Sequence, residues 1–91
     1  MSVVVRVPGQ LRVLVGGVGE IPVEAATVRE AIVAVDLAYP GLAARILDED
    51  GSLRRFVNVF VADEDVRFLD GLDTVVEAGQ TVSLVPAVAG G

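Results

Sequence analysis

The sequence predicts an α+β domain in which one main helix lies across one face of a mixed β-sheet of four to five strands. Valine-rich stretches with an apolar residue at every second position recur along the 91 residues, and this pattern is typical of half-buried strands. One stretch in the first half has apolar residues at helical spacing instead. Turn-forming Gly and Pro residues separate these stretches. The predicted order is strand, strand, helix, strand, short strand, strand.

The first two strands are predicted to form a hairpin. Val3, Val5 and Val7 alternate with other residues in a β-branched stretch, which indicates the first strand. A glycine-rich loop follows. The second strand, residues 20–24, contains Pro22, which has no amide hydrogen to donate to a neighbouring strand. We therefore expect this strand at an edge of the sheet.

The main helix is predicted to begin at Thr27. Thr27 and Glu30 have the spacing of a capping box, in which both side chains bind amide hydrogens at a helix start. The apolar stripe that follows consists of Val28, Ile32, Val35 and Tyr39. Pro40 and Gly41 then stop the helix.

The second half supplies a short helical turn and three more strands. The turn is predicted over residues 42–47, and the clearest strand over residues 55–62. Residues 66–68 are expected to form a short strand, and residues 81–85 the last one. A hairpin, one helix and three further strands in a chain of this length form the β-grasp, or ubiquitin-like, arrangement.

Composition restricts the functions that this chain can have. Apolar residues make up 53% of it, which argues against disorder. It has no Cys and no His, which excludes disulfides, thiolate chemistry and the usual general base at neutral pH. We therefore expect no enzyme acting alone, no metal and no bound cofactor. The net charge of −6 disfavours nucleic acid and anionic membranes, and it favours partners with basic surfaces.

The sequence contains no hydrophobic run near the roughly 20 residues that span a bilayer. Its N-terminus has neither a basic start nor a long apolar stretch, so no secretory signal is expected. These features predict a cytoplasmic protein with no membrane association.

The last residues, Gly90 and Gly91, are the sharpest functional signal. Pro86 lacks an amide donor, so we expect residues 1–86 to form the domain and residues 87–91 to leave the sheet as a flexible tail. Five extended residues reach at most about 17 Å. Without Cβ atoms, Gly90 and Gly91 can thread a narrow channel to a nucleotide in an ATP-using partner, where the carboxylate of Gly91 would be activated. A frayed, glycine-rich chain end is the alternative explanation.

The sheet also offers a predicted partner surface. If Val57, Val59 and Val61 point at the helix, the alternate residues Phe56, Asn58 and Phe60 point away from it. In the alternative orientation the two Phe side chains belong to the core. The residues predicted to contact partners are Phe56, Asn58, Phe60, Val85, Pro86, Ala87, Val88 and Ala89.

Three segments of the sequence carry a family resemblance: Arg55 to Val61, Asp63 to Phe68 and Leu84 to Gly91. Together they resemble the ubiquitin-like sulfur carriers, a family that includes the small subunit of molybdopterin synthase and the carrier of the thiazole pathway. The similarity is greatest to the carrier of the actinobacterial cysteine pathway.

This resemblance implies that an E1-like enzyme uses ATP to adenylate Gly91 and that sulfur then converts it to a thiocarboxylate. A pyridoxal-phosphate cysteine synthase that uses O-phosphoserine would accept the sulfur, and a zinc peptidase would release cysteine from the carrier. A second possibility is the small subunit of a molybdopterin synthase, with its large subunit as partner. A ubiquitin-like modifier and a pure β-grasp interaction module are further alternatives.

Overall fold

The computed structural model describes residues 1–86. The predicted tail, residues 87–91, lies outside the described residues. The strands are β1 (Ser2–Arg6), β2 (Glu20–Glu24), β3 (Val57–Val61), β4 (Glu64–Asp65) and β5 (Thr81–Pro86). The helices are α1 (Val28–Ala38) and α2 (Leu42–Ile46), and three segments of 3-10 helix span Gly9–Val15, Val66–Phe68 and Gly71–Asp73.

The strands form one mixed sheet in the order β2-β1-β5-β3-β4. β1 is antiparallel to β2 and parallel to β5, whereas β3 is antiparallel to both β5 and β4. This arrangement confirms the predicted mixed sheet. It also places the last strand, β5, at the centre, with a hydrogen-bonded neighbour on each side.

The helix α1 begins where the sequence predicts. The Oγ1 atom of Thr27 accepts a hydrogen bond from the amide of Glu30 at 3.2 Å. The carboxylate of Glu30 accepts one from the amide of Ala26 at 2.9 Å, one residue earlier than a standard capping box would have it. These bonds satisfy amide hydrogens that have no partner within the helix.

The core lies between α1 and the inner face of the sheet, which is the face toward that helix. Val28, Ile32 and Val35 of α1 are fully buried, and Tyr39, just beyond the helix, is half-buried against the core. The strands contribute Val3, Val5, Val57, Val59, Val61, Val82 and Leu84, all buried. The predicted orientation of β3 is therefore confirmed, because its three valines face the helix and Asn58 and Phe60 do not.

Both edges of the sheet are irregular. Pro22 lies in the middle of β2, opposite Val4, and β2 is an edge strand as predicted. The other edge, β4, has only two residues, Glu64 and Asp65.

A tight turn joins β3 to β4. Ala62 and Asp63 both have positive φ angles, 50° and 70°, although neither is glycine. They connect Val61 to its cross-strand partner Glu64. Two consecutive residues with positive φ are typical of the hairpin turns whose twist matches that of the strands.

The predicted strand at residues 66–68 is wrong. Val66–Phe68 forms a turn of 3-10 helix, with the carboxylate of Asp65 accepting a hydrogen bond from the amide of Arg67 at 2.8 Å. This cap satisfies an amide that a strand would have used for pairing, so β4 ends at Asp65.

The predicted loop after the first strand is partly wrong as well. Gly9–Val15 forms 3-10 helix, and it buries Leu11 and Val15 against the core. The strand predicted from residue 55 begins two residues later, at Val57, because the amide of Val57 bonds to the carbonyl of Arg54 and closes a turn there.

Candidate functional site

The described end of the chain lies alongside the start of β3. Val85 pairs with Asn58, and Pro86 pairs with Val57. The last strand therefore stays in register with β3 up to the final described residue, Pro86, whereas the sequence predicts a strand end at residue 85. Of the predicted site residues, Ala87, Val88, Ala89, Gly90 and Gly91 lie outside the described residues.

The outer face of the sheet, opposite α1, brings three predicted contact residues together. Asn58 and Phe60 of β3 are half-buried, and Val85 of β5 is 42% exposed. Asn58 and Val85 are direct cross-strand partners, while Phe60 pairs with Ser83 in the neighbouring row. The structure thus makes one surface of these residues, although sequence alone leaves open whether Phe60 belongs to the core.

Phe56 lies beside this surface and not within the strand. It occupies the turn Arg54–Val57 immediately before β3, and its side chain is 59% exposed. The guanidinium carbon of Arg55 lies 5.7 Å from the centre of the Phe56 ring, within the range of a cation–π contact. Because Val57 pairs with Pro86, this turn is at the end of the sheet where β5 finishes.

Arg67 is the residue of this region that sequence reasoning missed. Its Nη1 atom donates to Oδ1 of Asn58 at 2.8 Å, and its Nη2 atom donates to the carbonyl oxygens of Arg54 at 2.7 Å and Arg55 at 3.3 Å. It thereby ties the 3-10 segment Val66–Phe68 to the start of β3. No short motif marks this contact, since its partners lie 9 to 13 positions earlier in the chain.

A row of polar groups crosses the outer face farther from this turn. The cross-strand register aligns Glu20, Arg6, Ser83, Phe60 and Asp65. Arg6 and Glu20 form an exposed ion pair at 3.2 Å. Phe60 is therefore an apolar side chain surrounded by polar neighbours, as is common in surfaces that bind proteins.

Two further observations concern the described part of the chain only. Residues 1–86 contain no group of three or more His, Cys, Asp or Glu side chains placed to hold a metal ion. In that same part, none of the helices is long and apolar enough to cross a membrane.

Fold and site together define a class of protein. A mixed sheet of this order with one main helix on its inner face is a ubiquitin-like β-grasp domain. The predicted contact residues among residues 1–86 lie on or beside its outer face and at the end of β5, at Val85 and Pro86.

Comparison with known proteins identifies the family. The ThiS family matches residues 5–91. The sulfur carrier protein CysO of Mycobacterium tuberculosis is 41% identical over 93 residues, which cover the whole of both chains. The small archaeal modifier protein 3 of Haloferax volcanii is 41% identical over 66 residues, covering 72% of this chain and 71% of that protein. The chain belongs to the ThiS family.

A solved structure agrees with this assignment. The crystal structure of the BexX/CysO complex from Amycolatopsis orientalis contains a chain that superposes with a TM-score of 0.92 and 45% sequence identity. The match covers 98% of this chain and 99% of that one. The predicted β-grasp fold and the predicted sulfur-carrier function are both confirmed by these relatives.

Proposed function

We propose that this protein carries sulfur for cysteine biosynthesis as a thiocarboxylate on Gly91, and that it serves as a co-substrate of partner enzymes in the cytoplasm. The observation that carries this proposal is the 41% identity to CysO along the full length of both chains. A carrier of this kind needs no catalytic side chain of its own, which is consistent with a sequence without Cys or His.

The geometry of β5 supports this function. Pro86 lies opposite Val57 in the register of β5 with β3, and the inward side chains Val82 and Leu84 are buried in the core. The root of the tail is therefore placed at the end of the sheet where β3 begins. A segment of five residues reaches at most about 17 Å, so the reacting carboxylate would be delivered to a site within that distance of the domain.

The proposed chemistry has two steps. The Gly91 carboxylate attacks the α-phosphate of ATP on an E1-like enzyme, forming an acyl-adenylate and releasing pyrophosphate. Sulfide or an enzyme-bound equivalent then attacks the acyl carbon, and AMP leaves. The second step yields the thiocarboxylate. Gly90, without a Cβ atom, gives the nucleotide and the nucleophile access to that carbon.

The outer face is proposed as the surface that the partners recognise. Its contact residues are Phe56, Asn58, Phe60, Val85 and Pro86, followed in the tail by Ala87, Val88 and Ala89. The relative in the A. orientalis structure forms a complex with another protein, BexX, which supports a function exercised through a protein partner.

The acceptor is proposed to be a pyridoxal-phosphate cysteine synthase that uses O-phosphoserine. The sulfur of the thiocarboxylate would bond to the amino-acid carbon as the bond from that carbon to the phosphate oxygen breaks and phosphate leaves. A zinc peptidase would then hydrolyse the bond between the acyl group of Gly91 and cysteine, which regenerates the Gly91 carboxylate. The name CysO of the relatives supports this branch. Under the alternative, the large subunit of a molybdopterin synthase takes the sulfur instead.

A second candidate function is protein modification, because the matched small archaeal modifier protein 3 is 41% identical over 66 residues. In that case the activated Gly91 would be joined to lysine side chains of other proteins. The chain itself contains no lysine. Chains of this protein on itself could therefore form only through an α-amino group.

Intact-protein mass spectrometry tests the proposal. The protein is incubated with ATP, magnesium, sulfide and the E1-like enzyme of the same organism, and the expected product has one oxygen replaced by sulfur. A variant with one alanine appended after Gly91 serves as the comparison and is expected to give no such product. Its urea unfolding midpoint should match the original, since the added residue lies beyond the last strand of the sheet, β5, which ends at Pro86.

The thiocarboxylated protein then distinguishes the branches. Addition of the cysteine synthase and O-phosphoserine should consume the sulfur, while the large subunit of a molybdopterin synthase with its precursor should not. If only the large subunit consumes the sulfur, the protein is the small subunit of a molybdopterin synthase. Adducts on lysines of other proteins, without a thiocarboxylate, would favour the modifier. Equal labelling of the extended variant would contradict the assignment of Gly91.

A further inference from the structure

The turn before β3 carries a cluster of positive charge in an acidic protein. Arg54, Arg55 and Arg67 are three of seven arginines in a chain of net charge −6. Arg55 lies against the exposed ring of Phe56, and Arg67 donates to the carbonyl oxygens of Arg54 and Arg55. The Nε atom of Arg54 donates to the carbonyl oxygen of Ala44 at 3.0 Å. Within residues 1–86, none of these three arginines has a carboxylate oxygen within 4.0 Å, whereas Arg6 and Arg29 do.

Two groups of acidic residues flank this turn in the chain. Residues 48–50 form the turn closed by the bridge between Leu47 and Leu53, just before Arg54, and the second group lies at the other end of β3. Asp63, Glu64 and Asp65 follow the strand, at the turn that begins with Ala62. A five-residue strand separates the two ends by about 15 Å, more than the screening length at physiological ionic strength. Within residues 1–86 the arginines of this turn are thus not paired with a carboxylate, so the turn carries a local positive charge beside Phe56 although the net charge of the protein is negative.

Arg67 holds this turn in one conformation. Its guanidinium reaches Arg54 and Arg55 through their carbonyl oxygens and Asn58 through its side-chain oxygen. The amide of Val57 also bonds to the carbonyl of Arg54, at 3.1 Å, so that oxygen accepts two hydrogen bonds. A planar guanidinium that bonds to several acceptors restricts their relative positions more than an ammonium group would.

The position of the turn beside the tail indicates which partner enzyme contacts it. Val57 pairs with Pro86, so the turn lies beside the point at which residues 87–91 begin. An enzyme that draws this short segment into its active site must bring the rim of that site close to Phe56 and the arginines. The activating enzyme is the first enzyme in the proposed sequence to do so.

We propose that the turn Arg54–Val57 is a docking site for the activating enzyme, and that Arg67 is its positioning residue. The complementary surface is an apolar socket for Phe56 with carboxylates around it, beside the entrance to the enzyme's nucleotide site. This inference rests on the proposed function. It calls for an acidic partner surface at this contact, whereas the net charge of the whole chain favours partners with basic surfaces.

Steady-state kinetics of pyrophosphate release, with the carrier as varied substrate of the E1-like enzyme, test the site. Phe56→Ala should raise the KM for the carrier about thirtyfold, as expected for loss of a central aromatic contact. Arg67→Gln keeps one donor group and should raise KM about fivefold. In both variants kcat should stay unchanged, because Gly91 and the nucleotide are unaffected once the carrier is bound.

A matched pair of charge reversals isolates electrostatics. Arg55→Glu and Arg45→Glu change the net charge equally, and Arg45 is an exposed residue of α2 with no hydrogen bond or ion pair among the described side chains. Arg55→Glu should raise KM about fivefold at low salt, and high salt should remove most of the difference. Arg45→Glu should behave like the original protein.

Amide hydrogen exchange separates positioning from folding. In Arg67→Gln the amide of Val57 should exchange faster, while the amides of Val59 and Val61 stay protected. Should this variant fail to fold, Phe56→Ala and Arg55→Glu still decide the matter, since both change exposed side chains.

Three results would overturn the inference. Unchanged KM in Phe56→Ala and Arg55→Glu would show that the turn is not a docking site. A defect confined to sulfur transfer onto the cysteine synthase would assign the turn to the acceptor enzyme instead. If the original protein supports no pyrophosphate release by the E1-like enzyme, both the proposed function and the docking site are rejected. The first two results reject the docking site alone and leave the proposed function standing.

Discussion

Leu84 and Val85 are neighbours in β5, but they lie on opposite faces of the sheet. Leu84 is 2% exposed and packs in the core, whereas Val85 is 42% exposed on the outer face. The same division holds in β3 for Val59 and Phe60. In these strands a step of one residue separates positions that stabilise the fold from positions available to a partner. Substitutions on the outer face can therefore change recognition at little cost in stability.

The largest expected effect tests this division directly. Leu84→Ala should lower the free energy of unfolding by about 2 to 5 kcal/mol, because it leaves a cavity under α1. Val85→Ala should lower it by about 0.5 kcal/mol or less. Urea denaturation of the two variants measures the difference. Equal losses would show that the outer face contributes to stability as the inner face does.

The second prediction concerns the cap of α1, the helix that covers the inner face of the sheet. Thr27→Ala should lower the free energy of unfolding by about 1 kcal/mol, because the amide of Glu30 loses its acceptor. Ser52→Ala is the control, since the hydroxyl of this exposed residue makes no hydrogen bond within residues 1–86. If both variants unfold at the same urea concentration, the cap does not stabilise the helix that covers the core.

The turn Ala62–Asp63 sets the register of β3 with β4, and a register shift of one residue would exchange the two faces. Ala62→Gly should raise the free energy of unfolding by up to about 1 kcal/mol, because glycine adopts a positive φ without the steric cost paid by alanine. Ala44→Gly in α2 should have the opposite sign and a similar size. A loss of stability in Ala62→Gly would contradict the left-handed turn.

The smallest effect concerns the outer face alone. A double-mutant cycle of Arg6→Ala and Glu20→Ala should give a coupling of about 0.5 kcal/mol or less, because both side chains of this ion pair are exposed. The coupling should vanish at about 1 M salt, where the screening length is about 3 Å. A coupling above 1 kcal/mol that persists in salt would mean that the outer face is more rigid than its exposure indicates.

The division into faces could be predicted from the sequence because alternation is a local property. Val57, Val59 and Val61 alternate with larger or more polar residues, and a strand sends alternate side chains to opposite faces. The start of α1 was equally accessible, since a cap and its partner lie three residues apart. Pro22 marked an edge strand for the same kind of reason.

Features that depend on distant parts of the chain could not be predicted in this way. Arg67 has its acceptors at Arg54, Arg55 and Asn58, and only the pairing of β3 with β4 and the 3-10 segment after it bring them together. The segment Gly9–Val15 is an intermediate case. Its buried residues, Leu11 and Val15, are four positions apart, which is a helical spacing that the sequence does contain.

Sequence analysis predicts the strand part of the candidate site better than the tail. The structure confirms that Asn58, Phe60 and Val85 share the outer face. Their contact with partners and the chemistry of Gly91 remain predictions, since the tail lies outside the described residues. Glycines at a chain end have no packing pattern from which a conformation can be derived, so the family resemblance and not periodicity indicated their role.

Pro22 and the shortness of β4 have a consequence for the behaviour of this protein in a crowded solution. Sheets assemble into aggregates when an edge offers a long row of unpaired amides and carbonyls to another chain. Here one edge lacks an amide at its midpoint, and the other is two residues long. Both features shorten the template for continuing the sheet, so we expect the protein to resist edge-to-edge aggregation at high concentration.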